Sequence, residues 1–163
     1  MDVKRFVAEV KRDYSEWEEA IRFVPPDRLR EPGVSGVWSV VDIVAHISWY
    51  EREMNGLLAL HELAGSPWWE LPLDQQNERI YEENRGRPAG EVLKEVRSIH
   101  EELIGRLRSM KDEDLTDPAR FNGMPSDWSP ADVIAGSTYK HYRAHAAAVR
   151  RWLSAGQSSS GQQ

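Results

Sequence analysis

Apolar residues recur at steps of three and four over four long stretches of the chain, and this spacing restricts the fold more than any other feature. The stretches run from Val3 to Ile21, from Ile43 to Leu57, from Val92 to Leu107 and from Ile134 to Trp152. Such a period places the apolar side chains on one face of an α-helix. Strand-like alternation is absent along the sequence, so we expect an all-α protein.

Signals for helix boundaries support the same four helices. Ser39 and Ser129 each precede an apolar stretch and have an aspartate three residues later, Asp42 and Asp132, as in a capping box. A short extra helix is predicted from about Asp74 to Asn84, in the connection between the second and third long helices.

Two similar segments, Trp38 to Ala45 and Trp128 to Ala135, open the second and fourth helices at an offset of 90 residues. This similarity indicates two related helix pairs, which favours a four-helix bundle. At 163 residues the chain is long enough for one hydrophobic core and too short for two. We therefore predict one domain over residues 1–153 and a disordered tail over residues 154–163, where apolar residues are scarce.

Composition and charge exclude several functional classes. The formal net charge is −6 and no dense run of Lys or Arg occurs, so the sequence predicts no nucleic-acid partner. The chain has no cysteine, which excludes disulfides, thiolate metal ligands and a cysteine nucleophile. No segment approaches the length of a membrane span, and the N-terminus lacks the apolar core of a secretion signal. We therefore expect no membrane partner and a cytoplasmic location.

Three of the five histidines fall where their side chains can meet inside the bundle. His141 and His145 are four residues apart, so both imidazoles lie on one face of the fourth helix and can reach the same ion. His46, at the edge of the inward face of the second helix, can supply a third ligand. From spacing alone, a metal site and three ordinary core histidines both remain open. His61 and His100 are predicted to be solvated.

The sequence resembles a known family at these positions. The segment from Trp38 to Trp49, Trp-Ser-x-x-Asp-Ile-Val-Ala-His-Ile-x-Trp, and the pair His141-x-x-x-His145 resemble the DinB-like superfamily of four-helix metalloproteins. The segment from Asn77 to Arg85, Asn-Glu-Arg-Ile-Tyr-x-x-Asn-Arg, is similar to the ClbS/DfsB family within it. The resemblance implies one divalent ion, zinc or nickel, held by His46 and the later pair, and it implies a possible homodimer. The resemblance further implies one of two kinds of activity, because the members of the superfamily divide between thiol-dependent transferases or isomerases and hydrolytic self-resistance enzymes.

Three neutral histidines leave a tetrahedral ion with one open position, which is the arrangement of catalytic zinc sites. We therefore predict a metal-dependent enzyme that acts on a small electrophilic or toxic compound, with metal-bound water as the nucleophile. Two alternatives remain open. One is a thiol-dependent transferase or isomerase at the same metal, and the other is a non-enzymatic protein that sequesters a small molecule or a metal.

Further site residues are predicted from their positions relative to the histidines. Tyr50 and Glu53 lie four and seven residues after His46, and Tyr142 lies beside the later ligands, so all three are candidate catalytic residues. Tyr50 also fits a core aromatic position. Residues of the connection between the second and third long helices can cover the site and bind the substrate, although a solvated short helix is the alternative. These substrate-binding candidates are Trp68, Trp69, Asn77 and Tyr81.

Overall fold

The protein is all-α, as the apolar spacing predicts. The computed structural model describes the backbone of residues 1–160, and residues 161–163 lie outside the described part of the chain. Within residues 1–160 no β-strand forms. The helices are α1 (Val3–Arg22), α2 (Val40–Leu60), α3 (Leu73–Asn84), α4 (Ala89–Arg108), α5 (Pro130–Ser137) and α6 (Tyr139–Ser160). None of them combines the length and the apolarity that crossing a membrane requires.

The four long helices α1, α2, α4 and α6 form a bundle. α2 packs against α4, α1 packs against α6, and α1 also contacts α4. Phe6, Trp17 and Leu103 are fully buried between them and belong to one continuous hydrophobic core. The short helix α3 packs on α2 and is the extra helix that the sequence predicts in this connection. The helices α2 and α6, which carry the three predicted histidine ligands, therefore face the same interior.

The two predicted N-caps form at the starts of α2 and α5. The hydroxyl of Ser39 accepts the backbone N–H of Asp42, and the Asp42 carboxylate accepts the Ser39 N–H at 2.8 Å, which completes a capping box at the start of α2. The hydroxyl of Ser129 accepts the N–H of Asp132 at 3.2 Å at the start of α5. Each bond satisfies backbone donors that a helix N-terminus leaves free.

The fourth helix of the sequence-based prediction is divided in two. Thr138 leaves the helical conformation, with φ −126° and ψ −108°, between α5 and α6. Its hydroxyl donates to the carbonyl oxygen of Ile134 at 2.7 Å. A threonine hydroxyl that bonds back to a carbonyl four residues earlier competes with the helical hydrogen bonds. A new helix, α6, therefore starts two residues before His141.

The end of α6 differs from the predicted disordered tail over residues 154–163. The helix continues to Ser160, while residues 161–163 lie outside the described residues. The guanidinium of Arg28, in the α1–α2 connection, lies 4.2 Å over the ring of Trp152 and also approaches Gly156. This contact holds the helix end against the bundle, which the polar composition of the segment does not reveal.

Candidate metal centre

Three histidines predicted from spacing meet between α2 and α6. The Nε2 atom of His141 lies 2.9 Å from the Nε2 atom of His46 and 2.9 Å from that of His145. His46 comes from α2, and the other two come from successive turns of α6. One nitrogen from each residue lies within 4.8 Å of the other two, and these atoms form a group that could hold a metal ion. His46 is buried, whereas His141 and His145 are half-buried, so part of the group is accessible to solvent.

Burial keeps all three imidazoles neutral. It lowers the pKa of His46 to about 3, with a further contribution from nearby His145, and lowers the pKa of His145 to about 4. For His141, burial and then the charges of the other two histidines hold the pKa well below its ordinary value. A neutral imidazole has a free lone pair, which is the form that ligates metals.

The spacing of the nitrogens fits a single ion. On a tetrahedral ion with metal–nitrogen bonds of about 2.0–2.1 Å, two ligand nitrogens lie about 3.3 Å apart. The observed separations of 2.9 Å are close to that value. Without an ion, the His141 Nε2 has either one proton or one lone pair and can form only one well-directed hydrogen bond to its two neighbours. A cation accepts all three lone pairs at once, so the donor set suits a divalent metal.

Aromatic rings surround the three histidines. The ring of Tyr50 lies 4.9 Å from that of His46 and 4.7 Å from that of His141. Trp38, just before α2, lies 5.1 Å from His46, and its outer neighbour is Tyr81 of α3, stacked at 6.1 Å with an interplanar angle of 7°. Tyr81 was predicted to bind substrate, and the structure places it against Trp38. We refer to Trp38, Tyr50 and Tyr81 as the aromatic wall.

The Tyr50 hydroxyl is fixed by a polar chain to the connection before α3. It donates to the Gln76 side-chain oxygen at 2.9 Å, and the Gln76 amide donates to the Trp68 carbonyl oxygen at 3.2 Å. Trp49 joins Trp68 and Trp69 in ring contact, 6.2 Å and 5.2 Å away. Tyr50 therefore serves as a packed aromatic beside the histidines, with its proton committed to Gln76.

The remaining residues predicted to bind substrate lie on this same connection. Trp69 is 43% exposed and its ring meets that of Tyr50 edge-on at 5.5 Å. Asn77 is half-buried, one turn before Tyr81, and its side-chain oxygen is buried without a hydrogen-bond partner among the described residues. Such an unsatisfied acceptor is costly unless a water or a ligand supplies a donor.

Glu53 is engaged away from the histidines. Its carboxylate accepts the backbone N–H of Ser66 at 2.9 Å and the indole N–H of Trp69 at 2.7 Å. These bonds position the loop that carries Trp69. Glu53 therefore holds the loop of Ser66 and Trp69 against α2.

Tyr142 points away from the three histidines into the centre of the bundle. It is fully buried and donates its hydroxyl to the Glu51 carboxylate. His100, on α4, reaches the same oxygen through Nδ1 at 2.8 Å. The prediction that His100 is solvated was wrong: it is 8% exposed, because it follows buried Val96 by four residues on the inward face of α4. His61 is exposed, as predicted.

Sequence reasoning missed Glu51, which is completely buried. A signal for it exists in the sequence, because Glu51 follows the buried residues Ile43 and Ile47 at four-residue steps. A carboxylate at an inward helical position is rare unless other groups hydrogen-bond to it. Glu51 at an inward position of an apolar helix face is therefore the sequence feature that could have predicted the buried cluster of Glu51, Tyr142 and His100.

The fold is shared with several solved structures. An uncharacterised protein from Escherichia coli UTI89 superposes with a TM-score of 0.79 at 13% identity, covering 96% of this chain and 95% of that one. The Sibling Lethal Factor Precursor DfsB gives 0.79 at 13% identity over 96% and 97%. The colibactin self-resistance protein ClbS, in complex with a dsDNA, gives 0.75 at 11% identity over 92% and 94%. No curated protein sequence matches the chain at a significant level.

The ClbS structure overturns one expectation from the sequence. We expected no nucleic-acid partner from the net charge, yet a protein of this fold has been solved in complex with dsDNA. Net charge sums over the whole surface and does not describe the field at one face. The charge of −6 therefore does not exclude DNA as a partner.

The family assignment rests on the sequence itself as well as on the shape. The sequence model of the DinB superfamily matches residues 9–149, a range that includes His46, His141 and His145. This match agrees with the resemblance noted around Trp38 and at His141-x-x-x-His145. The chain belongs to the DinB superfamily.

Proposed function

We propose that the protein is a metal-dependent enzyme that hydrolyses a small electrophilic or toxic compound at His46, His141 and His145. The observation that carries the proposal is the convergence of three neutral Nε2 atoms in a group that is only partly buried. Three histidines leave a tetrahedral ion one open position. Zinc or nickel suits an all-imidazole donor set. A divalent ion in such a site lowers the pKa of water and polarises an electrophilic group.

The chain's own residues prepare the site in three ways. Burial keeps the imidazole lone pairs free, as the low pKa of His46 indicates. The rings of Trp38 and Tyr50 pack against the histidines and limit the access of bulk water. Trp69 offers an exposed ring to a substrate, whereas the side-chain oxygen of Asn77 is buried and has no hydrogen-bond partner among the described residues. Asn77 and Tyr81 would then orient the substrate from α3.

The self-resistance role is proposed by analogy with ClbS, which has the same fold and is described as a colibactin self-resistance protein. A thiol-dependent transferase or isomerase would use the same three histidines and differs only in its cosubstrate. A homodimer, implied by the sequence resemblance, stays a prediction.

Turnover of a panel of small electrophiles tests the proposal. Epoxides, strained rings and activated esters would be incubated with the metal-loaded protein, with and without a low-molecular-weight thiol. We expect hydrolysis that stops on chelation, returns when zinc or nickel is added back, and needs no thiol. Strict dependence on the thiol would establish the transferase instead. Ligand binding without turnover, unaffected by chelation, would identify a sequestering protein.

A further inference from the structure

One side chain from each of the four long helices joins a cluster at the centre of the bundle, built around the Glu51 carboxylate. Glu51 of α2 accepts the Tyr142 hydroxyl of α6 and lies 2.8 Å from His100 Nδ1 of α4. Tyr14 of α1 stacks on His100 with ring centroids 3.3 Å apart and meets Tyr142 edge-on at 5.3 Å. Glu51 and Tyr142 are both completely buried. The group has no access to solvent, so it does not contact a substrate.

Burying a carboxylate is costly, and here few groups compensate for it. Tyr142 and His100 share one carboxylate oxygen, Oε1, while the other, Oε2, has no partner within the described residues. Removal of either partner would leave the buried group with a single hydrogen bond. The arrangement therefore defines one preferred position of α6 relative to α2.

The cluster lies directly behind the three histidines. Glu51 follows His46 by five residues on α2, and Tyr142 follows His141 by one residue on α6. Among the described side chains, α2 and α6 share two hydrogen bonds: the contact between His46 and His141, and the bond from Tyr142 to Glu51. The second is thus the polar link that fixes the spacing of the two ligand-bearing helices when the histidines face an ion.

The break at Thr138 makes such a link necessary. α6 does not continue α5, so the N-cap of α5 does not fix how α6 is rotated about its own axis. Arg143 ties α6 to Glu9 and Asp13, but both of these lie on α1. Those ion pairs do not link α6 to α2 directly.

We propose that Glu51 and Tyr142 are positioning residues for the metal centre: their buried bond sets where His141 and His145 lie relative to His46. The proposal rests on the proposed metal site. Residues that orient metal ligands from behind commonly change metal affinity by about tenfold to a hundredfold when they are altered. We expect the lower end of that range, because the link acts through the helices.

Tyr142→Phe tests the proposal, since it removes one hydroxyl and keeps the ring. Tyr139→Phe is the matched control: Tyr139 is on the same helix, two residues before His141, and packs edge-on against Phe6 at 5.6 Å. Leu107→Ala controls for general loss of stability, because Leu107 is fully buried on α4. Each protein would be titrated with zinc in competition with a chromophoric chelator, well below its melting temperature, and its cobalt-loaded form would be examined by visible absorption.

We expect Tyr142→Phe to bind zinc about tenfold more weakly than the unaltered protein and to change the cobalt ligand-field bands. Tyr139→Phe and Leu107→Ala should retain the unaltered affinity and spectrum. Glu51→Gln, which keeps an acceptor for Tyr142, should lie nearer to the unaltered protein than Glu51→Leu. Unchanged affinity and spectrum in Tyr142→Phe would overturn the positioning role. If the unaltered protein takes up no zinc or cobalt, the proposed metal site itself fails, and the inference fails with it.

Discussion

The Nε2 atoms of His46 and His141 lie 2.9 Å apart although 95 residues separate them in the chain. Neither imidazole has a hydrogen-bond partner for its other ring nitrogen among the described residues. Two neutral histidines packed Nε2 against Nε2, one buried and one half-buried, are costly for the folded protein, and a cation shared by these two Nε2 atoms offsets that cost.

Removal of the metal should lower the melting temperature. An ion that binds the folded chain alone stabilises it by about 4 kcal/mol when free metal exceeds the dissociation constant by about 1,000-fold. For a chain of this size that is a shift on the order of 10 °C. Scanning calorimetry of metal-loaded and chelator-treated protein measures it. His145→Ala serves as the control, because chelation should leave its melting temperature unchanged.

The metal-free protein should lose stability in mild acid. The folded pKa of His46 is about 3 because of burial and nearby His145, whereas an unfolded histidine titrates near 6.5. The unfolded chain therefore binds more protons between these values, and stability is complete above pH 6.5 and falls as the pH drops through this window. His46 alone should cost about 2 kcal/mol at about pH 5.

Urea unfolding of metal-free protein at neutral pH and at about pH 5 measures this effect. His46→Gln removes the titrating group and should show a smaller loss between the two conditions. An equal loss in both proteins would show that other groups cause the acid sensitivity.

Substitutions of Tyr81 and Asn77 should weaken substrate binding and leave the metal content unchanged. Tyr81→Ala removes the ring stacked on Trp38, and Asn77→Ala removes the unsatisfied acceptor one turn earlier. We expect KM for a hydrolysed electrophile to rise about tenfold in each, the scale of a few lost contacts, with full metal content. Leu73→Ala, on the same helix and 66% exposed, is the matched control. If neither substitution changes KM or kcat, α3 does not cover the substrate.

The fold could be predicted from the sequence because its determinants are local. Apolar spacing and the Ser39 cap indicate α2, and a four-residue step places His141 and His145 on one face whatever the helix packs against. The convergence of His46 with them depends on packing between distant helices, so spacing left it open and the family resemblance supplied it.

Other parts of the site could not be predicted because they depend on tertiary contacts. His100 was assigned to solvent from its polar neighbours, but Glu51 and Tyr142 lie across the bundle and give it a place in the core. The break at Thr138 depends on the hydrogen bond from its hydroxyl to the Ile134 carbonyl oxygen. The spacing of apolar residues does not predict this bond. In each case the hydrogen bonds that a polar group forms inside the bundle determine the local structure, against the prediction from the local sequence pattern.

Metal content tests the central claim most directly. Elemental analysis of the purified protein should find one equivalent of zinc or nickel per chain. His141→Ala should contain almost none, because it loses the nitrogen that faces both of the others. His61→Asn, at an exposed position whose positive φ of 49° suits asparagine, should keep the full equivalent. A metal-free protein that takes up neither ion, or full occupancy in His141→Ala, would contradict the account.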